Sequence, residues 1–255
     1  MIDLTRLTPR TLSAEPYRWA FIDRMFLPAD CAALVKTFPH DHFKTIEGYD
    51  GEKGYKYEAR SLIGMGADIP TRSQFLNPAW QHLAQDLLSP AYREAMSHLT
   101  GVDLAGLPIE ANVFHYRGSA WLGPHVDLAD KVMTHAFYFN QVWDENDGGC
   151  LTILRGGDMS QVVKVIPPLV GNSVVMVRSD NSWHAVSRVR EKCRSSRRSM
   201  TVTFYRPGSP STMWPASDFT PLHDYTGEHL GLRGFVRRSL RRIRPFMMSA
   251  DGKDQ

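Results

Sequence analysis

Residues 110–139 read EANVFHYRGSAWLGPHVDLADKVMTHAFYF, and this stretch decides the fold. Its ends, 110–116 (EANVFHY) and 132–139 (VMTHAFYF), are short runs rich in β-branched and aromatic residues, the composition of strands. Between them lies His125-Val126-Asp127. In extended chain, residues i and i+2 project to the same side, so His125 and Asp127 can grip one metal ion while Val126 packs the other way. A second imidazole, His184, follows far downstream next to Trp183 and can arrive only if a barrel brings distant strands together. Two imidazoles and a carboxylate on one face of an octahedron, with the opposite face open, are the donor set of non-haem Fe(II).

Working outward, 150–154 (CLTIL), 162–166 (VVKVI), 173–177 (SVVMV) and 200–205 (MTVTFY) have the same strand composition. Gly148-Gly149, Pro167-Pro168, Gly171-Asn172 and Asp180-Asn181 punctuate them as turns. Closely spaced strands without intervening helical patterns predict an antiparallel barrel or sandwich, mainly β with supporting helices. The chain reads as one domain: 1–109 helical support and lid, 110–206 β core, 207–255 a C-terminal extension. In the first part, 27–38 (LPADCAALVKTF) predicts a helix with Pro28 and Asp30 near its start and Pro39 after its end. Residues 78–99 predict one or two helices interrupted at Pro90. The stretch 48–66, with five glycines and Tyr49, Tyr55 and Tyr57, suits a lid over a site or a surface hairpin.

Composition bounds the function. The 255 residues are 42% hydrophobic with a formal net charge of +3, which fits one domain with a sizeable core and does not imply nucleic acid. No run is long enough to span a bilayer, and residues 1–10 lack the apolar core of a signal peptide. Three cysteines, Cys31, Cys150 and Cys193, without a Cys-x-x-Cys, suit a reducing cytoplasm, so a cytoplasmic location is expected. Positive charge gathers only in 229–250, where Arg233, Arg237, Arg238, Arg241, Arg242 and Arg244 accompany Phe235 and Leu240. That segment predicts a solvated basic helix, with an acidic partner as the less favoured reading.

The ordered motifs from Asn112 to Arg206 resemble the double-stranded β-helix (jelly-roll, cupin-like) core of Fe(II)/2-oxoglutarate-dependent dioxygenases, and most resemble the prolyl hydroxylase branch. The similar pieces are Tyr116-Arg117-Gly118 before His125-Val126-Asp127, the segment 134–140 (THAFYFN), Trp143-Asp144 leading into Gly148-Gly149-Cys150-Leu151, Trp183-His184-Ala185-Val186, and 197–202 (RRSMTV). They cover under half of the chain. The resemblance implies Fe(II) held by His125, Asp127 and His184, with 2-oxoglutarate and O2 as co-substrates, and it admits ascorbate as a reductant. It also implies that Tyr138 hydrogen-bonds 2-oxoglutarate and that a basic residue on the last core strand binds the distal carboxylate.

Strand alternation tests which arginine that is. Arg197 shares a face with Ser199, Thr201 and Thr203, whereas Arg198 shares one with Met200, Val202 and Phe204. A dicarboxylate pocket needs the small polar face, and a guanidinium holds a carboxylate through two parallel hydrogen bonds, so Arg197 is the expected anchor. By the same alternation Tyr138 points inward beside Thr134, and Thr134 and Tyr116 are assigned to the same co-substrate site.

The expected reaction is hydroxylation of an unactivated C–H bond of a small-molecule or amino-acid-like substrate, with release of succinate and CO2. No peptide-binding domain or repeat accompanies the core, although a prolyl or other protein residue is the alternative substrate. Asp127 argues against the halogenase branch of the family, in which a small residue replaces the carboxylate. Trp121, Asp130, Lys131, Trp143 and Trp183 are the candidate substrate residues at the rim. Two other classes share the triad: a zinc-dependent hydrolase, which needs neither Arg197 nor Tyr138, and a non-catalytic ligand-binding barrel.

Overall fold

The computed structural model describes residues 1–49, 53–211 and 213–214. Eleven strands form one curled antiparallel sheet: β1 (Trp19–Ile22), β2 (Lys44–Tyr49), β3 (Gly54–Ile63), β4 (Ile109–Tyr116), β5 (Trp121–His125), β6 (Lys131–Tyr138), β7 (Leu151–Leu154), β8 (Val162–Ile166), β9 (Ser173–Val177), β10 (His184–Val186) and β11 (Arg197–Tyr205). Their order in space is β1-β9-β6-β11-β4-β3-β5-β10-β7-β8, with β2 paired to β3. The long β3 joins the two halves: its last part pairs with β4, and Tyr55 and Lys56 at its start pair with β5. The sheet therefore folds over on itself as a jelly roll, the expected double-stranded β-helix class.

Alternation sorts the side chains into two layers. Ile109, Ala111 and Val113 of β4, Met133 and Phe137 of β6 and Met200, Val202 and Phe204 of β11 form the outward layer. Two helices cover it, α2 (Pro78–Leu88) and α3 (Pro90–Thr100), preceded in the chain by α1 (Pro28–Lys36). The helix starts follow from their caps. Asn77 accepts the Ala79 N–H ahead of Pro78, and the Ser89 hydroxyl accepts the Tyr92 N–H ahead of Pro90. Pro90 thus opens a second helix, which ends on Gly101 at φ 63° with its N–H on the Ser97 carbonyl. Trp80, Leu83, Ala84 and Leu87, at helical spacing, form the buried stripe of α2.

Residues 1–109 hold more than helical support and a lid, because β1, β2 and β3 lie there and belong to the sheet. The 48–66 stretch holds the end of β2 and all of β3, paired antiparallel as a hairpin from Tyr49 and Gly54, and Lys53, Tyr55 and Tyr57 wall a cavity. The basic segment 229–250 lies outside the described residues. Among the described residues no helix is long and apolar enough to cross a membrane, and Cys31, Cys150 and Cys193 are all free thiols.

Candidate metal centre

His125 closes β5 and His184 opens β10, and the two are direct partners in the antiparallel ladder. Their rings face each other with centroids 4.2 Å apart. Asp127 sits two residues beyond β5, and one ligand atom from each of the three residues lies within 4.8 Å of the others. All three side chains are buried. Alternation within one strand does not build this cluster, since Asp127 has left the ladder; the turn after His125 brings it back.

Hydrogen bonds fix how the donors present themselves. The Nδ1–H of His125 donates to the Gly123 carbonyl and that of His184 to the Ser182 carbonyl, each at 2.9 Å. Both Nε2 lone pairs are left for a metal, the usual way a backbone carbonyl sets the tautomer of a ligating imidazole. Asp127 is held by the Lys131 ammonium at 2.6 Å on one oxygen and by the Thr134 hydroxyl at 3.0 Å on the other.

Protonation states follow from the surroundings. Burial, then the neighbouring His184, pushes His125 well below the usual imidazole range, and burial lowers His184 as well. Burial alone would raise Asp127, but Lys131 and the two imidazoles outweigh it and hold the carboxyl well below its ordinary value. At neutral pH the set is two neutral imidazoles and one carboxylate, the ionisation a divalent cation requires of its ligands.

The cluster lies in a cavity of about 290 Å³. Arg197, Ser199, Thr201 and Thr203 of β11 line one wall with Glu110, Asn112 and Tyr116 of β4; His125, His184 and Val186 line the facing one. Arg197 is buried, with its guanidinium 4.7 Å from the Tyr116 ring centre and 5.5 Å from that of Tyr138. Its Nε has no partner, and the Tyr138 hydroxyl, close by, makes no well-formed hydrogen bond. Burial raises the Tyr138 phenol, which stays a protonated donor. A buried guanidinium beside an unused hydroxyl is strongly disfavoured unless an anion joins them. Those orphaned donors fit a carboxylate. Arg198 lies on the other face, its guanidinium 5.4 Å from the Phe38 ring.

Residues 111–205 match the family model described as 2OG-Fe(II) oxygenase superfamily. The chain carries the core of a 2OG-Fe(II) oxygenase. Three solved structures share its fold. Prolyl 4-hydroxylase from Phytophthora capsici is 18% identical over 95% of this chain and 76% of that chain, with a TM-score of 0.55. A prolyl hydroxylase from Trichoplax adhaerens, in complex with a hypoxia inducible factor oxygen degradation domain peptide fragment, is 15% identical over 73% of this chain and 83% of that chain, with a TM-score of 0.53. The non-heme alpha ketoglutarate dependent epimerase SnoN from nogalamycin biosynthesis is 14% identical over 87% of this chain and 93% of that chain, with a TM-score of 0.50. No curated protein matches the chain. The oxygenase is an oxidoreductase whose family uses Fe(II), 2-oxoglutarate and O2.

Of the five rim residues expected to meet substrate, only Lys131 lines the oxygenase's cavity. Trp121 packs under the Arg188 guanidinium at 3.8 Å, Trp143 donates its indole N–H to the Gly148 carbonyl at 2.8 Å, and Trp183 lies on Gly157. Asp130 is exposed to solvent. These three rings brace neighbouring segments instead. The double glycine beneath Trp143 shows why: Gly148 has φ 71°, and a Cβ there would meet the Arg188 carbonyl oxygen at 2.0 Å.

Two contributors were not legible beforehand. Tyr17, from the segment before β1, is buried with an unpartnered hydroxyl, and burial, then the charge of Asp127, raises its phenol. Glu110 opens the strand run 110–116, and it also lines the cavity.

Proposed function

We propose that this oxygenase hydroxylates an unactivated C–H bond of a small, amino-acid-like molecule, using His125, Asp127 and His184 as iron ligands and Arg197 with Tyr138 as the anchor for 2-oxoglutarate. When bound, Fe(II), 2-oxoglutarate and O2 supply the oxidising chemistry, with one oxygen atom entering the substrate and the other leaving in succinate as CO2 is lost. The protein orients and shields. His125 and His184 offer fixed, neutral donors because Gly123 and Ser182 hold their Nδ1 protons. Lys131 and Thr134 orient the carboxylate of Asp127. Arg197 and Tyr138 offer an anion-binding pair at the Tyr116 end of the cavity, and Ser199 steadies the guanidinium.

The observation that carries this reading is the buried Arg197, which lines the same cavity as the triad with an orphaned Nε, its guanidinium 5.5 Å from the ring of Tyr138, whose hydroxyl is orphaned as well. A zinc hydrolase would have no use for that pair. The small-molecule preference is supported by the size of the cavity, about 290 Å³, with Tyr55, Tyr57 and Met213 among its lining residues. The test is anaerobic reconstitution with Fe(II) and 2-oxoglutarate. A visible charge-transfer band, followed by O2-dependent succinate release, is the expected result. Folded, iron-loaded protein that shows neither would overturn the assignment.

A further inference from the structure

Glu110 is a second buried ionisable group in the cavity that lacks an ion-pair partner. It is 2% exposed and lines the cavity, yet among the described residues no cation lies within ion-pairing distance of it. Its partners are neutral: Ser211 donates to Oε1 at 2.5 Å and Tyr205 to Oε2 at 3.2 Å, and the Asn112 side chain also favours the carboxylate by hydrogen bonding. Lys131, whose charge favours the ionised form, is committed to Asp127 at 2.6 Å. Burial pushes the Glu110 carboxyl up, the sign of a charge held at a cost without a partner. A carboxylate with two hydroxyl donors keeps further lone pairs for a ligand.

Its position relative to the metal ligands is fixed by the ladder. Glu110 is opposite Thr203, Thr203 is opposite Thr134, and Thr134 donates to Asp127. Neighbouring strands are spaced about 4.8 Å apart, so the backbones of Glu110 and Thr134 are about 10 Å apart. Arg197 stands six residues along β11 from Thr203, so the anion-binding pair and Glu110 occupy different parts of the cavity. The Ser211 hydroxyl also accepts the Trp214 N–H, and the Trp214 indole N–H donates to Asn112 at 2.6 Å. The chain just after β11 is therefore tied to the two polar β4 residues that face the cavity.

We infer that Glu110 binds a cationic group of the substrate, an ammonium or guanidinium carried a few methylenes from the carbon that is oxidised. The inference rests on the 2-oxoglutarate oxygenase reading and names the substrate class for that same cavity. A basic amino acid or a short diamine has this chemistry. Its cation would meet Glu110 while its carbon chain crosses the Thr203–Thr134 rungs towards Asp127.

The test uses the full chain with Fe(II). The 2-oxoglutarate charge-transfer band is recorded first, for wild type, Glu110→Gln and Ser211→Ala. Its absence from wild type defeats the oxygenase reading, and the inference with it. With the band present, succinate release is measured with lysine, arginine, putrescine, norleucine and glutamate at millimolar concentration. At least one cationic probe is expected to raise the rate over the substrate-free level, with lysine at least tenfold more effective than norleucine, its neutral counterpart. Glu110→Gln should keep the band and lose that preference, whereas Ser211→Ala, which removes the clamp and keeps the charge, should retain it. Equal response to lysine and norleucine, preference for glutamate, no response to any cationic probe, or an unchanged preference in Glu110→Gln would each overturn the inference. The lysine–norleucine comparison on wild type decides even if Glu110→Gln does not fold.

Discussion

His184 faces His125 across the β5–β10 pair, and each imidazole is pinned by a backbone carbonyl two residues before it in sequence, Ser182 and Gly123. The same local device therefore operates on two strands distant in sequence, and the ladder makes the pair face one point. Asp127 completes the set from the turn after β5.

Replacing His125, Asp127 or His184 with alanine should abolish turnover without unfolding the chain, since the two histidines sit at strand ends and Asp127 lies beyond the end of β5, so the ladder bonds are kept. Loss of even an outer-shell partner costs about 10–100-fold in metal affinity or activity, so loss of a ligand should exceed that. Succinate release at limiting iron, alongside circular dichroism, measures both. Wild-type activity in any of the three removes that residue from the ligand set.

Arg197→Ala should sharply raise the concentration of 2-oxoglutarate needed for half-maximal rate. A buried charge left without its partner loses about 3–5 kcal/mol, on the order of several hundredfold or more. Arg198→Ala should do far less, since that guanidinium packs over Phe38 on the other face of β11. Side-by-side titrations decide, and a larger effect at Arg198 would refute the face assignment.

Tyr138→Phe should weaken 2-oxoglutarate binding by about tenfold or more, the worth of a hydrogen bond to a charged group being about 1.5–3 kcal/mol. Without 2-oxoglutarate the variant should be as stable as wild type in urea, because the hydroxyl has no well-formed partner to lose. A destabilised protein with unchanged co-substrate affinity would mark Tyr138 as a packing residue only.

Stability of the metal-free protein should fall as pH drops below about 6.5, the ordinary imidazole value. His135 is fully buried, and burial pushes it down to about 3. It stays neutral in the fold while the unfolded chain takes up a proton, so stability is lost progressively from about pH 6.5 towards pH 3. Asp127 adds to the loss only at the acid end: its folded value is depressed, so its contribution is full above the ordinary carboxylate range and falls away below about pH 4. His135→Asn keeps an acceptor for the Tyr92 hydroxyl, 2.9 Å from Nδ1, and removes the titration. Urea midpoints between pH 4 and 6.5 should then fall less steeply, by about 1.4 kcal/mol per pH unit. An unchanged slope would mean that His135 is not neutral in the fold.

The sequence by itself determined what depends on short-range periodicity. Alternation along 110–116, 132–139 and 200–205 revealed strands with one apolar and one polar face, and Arg197 shares its cavity wall with Ser199, Thr201 and Thr203 as that alternation requires. Pro28, Pro78 and Pro90 marked helix starts because a first-turn proline gives up no hydrogen bond.

Only the tertiary structure decided the rest. β5 (WLGPH) and β10 (HAV) are too short and too rich in turn formers to read as strands; pairing with each other and with β3 and β7 makes them so. β1 and β3 were hidden for the same reason, as strand propensity is mostly the fit of side chains to neighbours that sequence does not supply. Tyr17 and Glu110 carry no local signal either. One hydroxyl without a partner and one carboxylate without a cation become meaningful only when the folded sheet buries both, where low polarity makes an unmatched group costly.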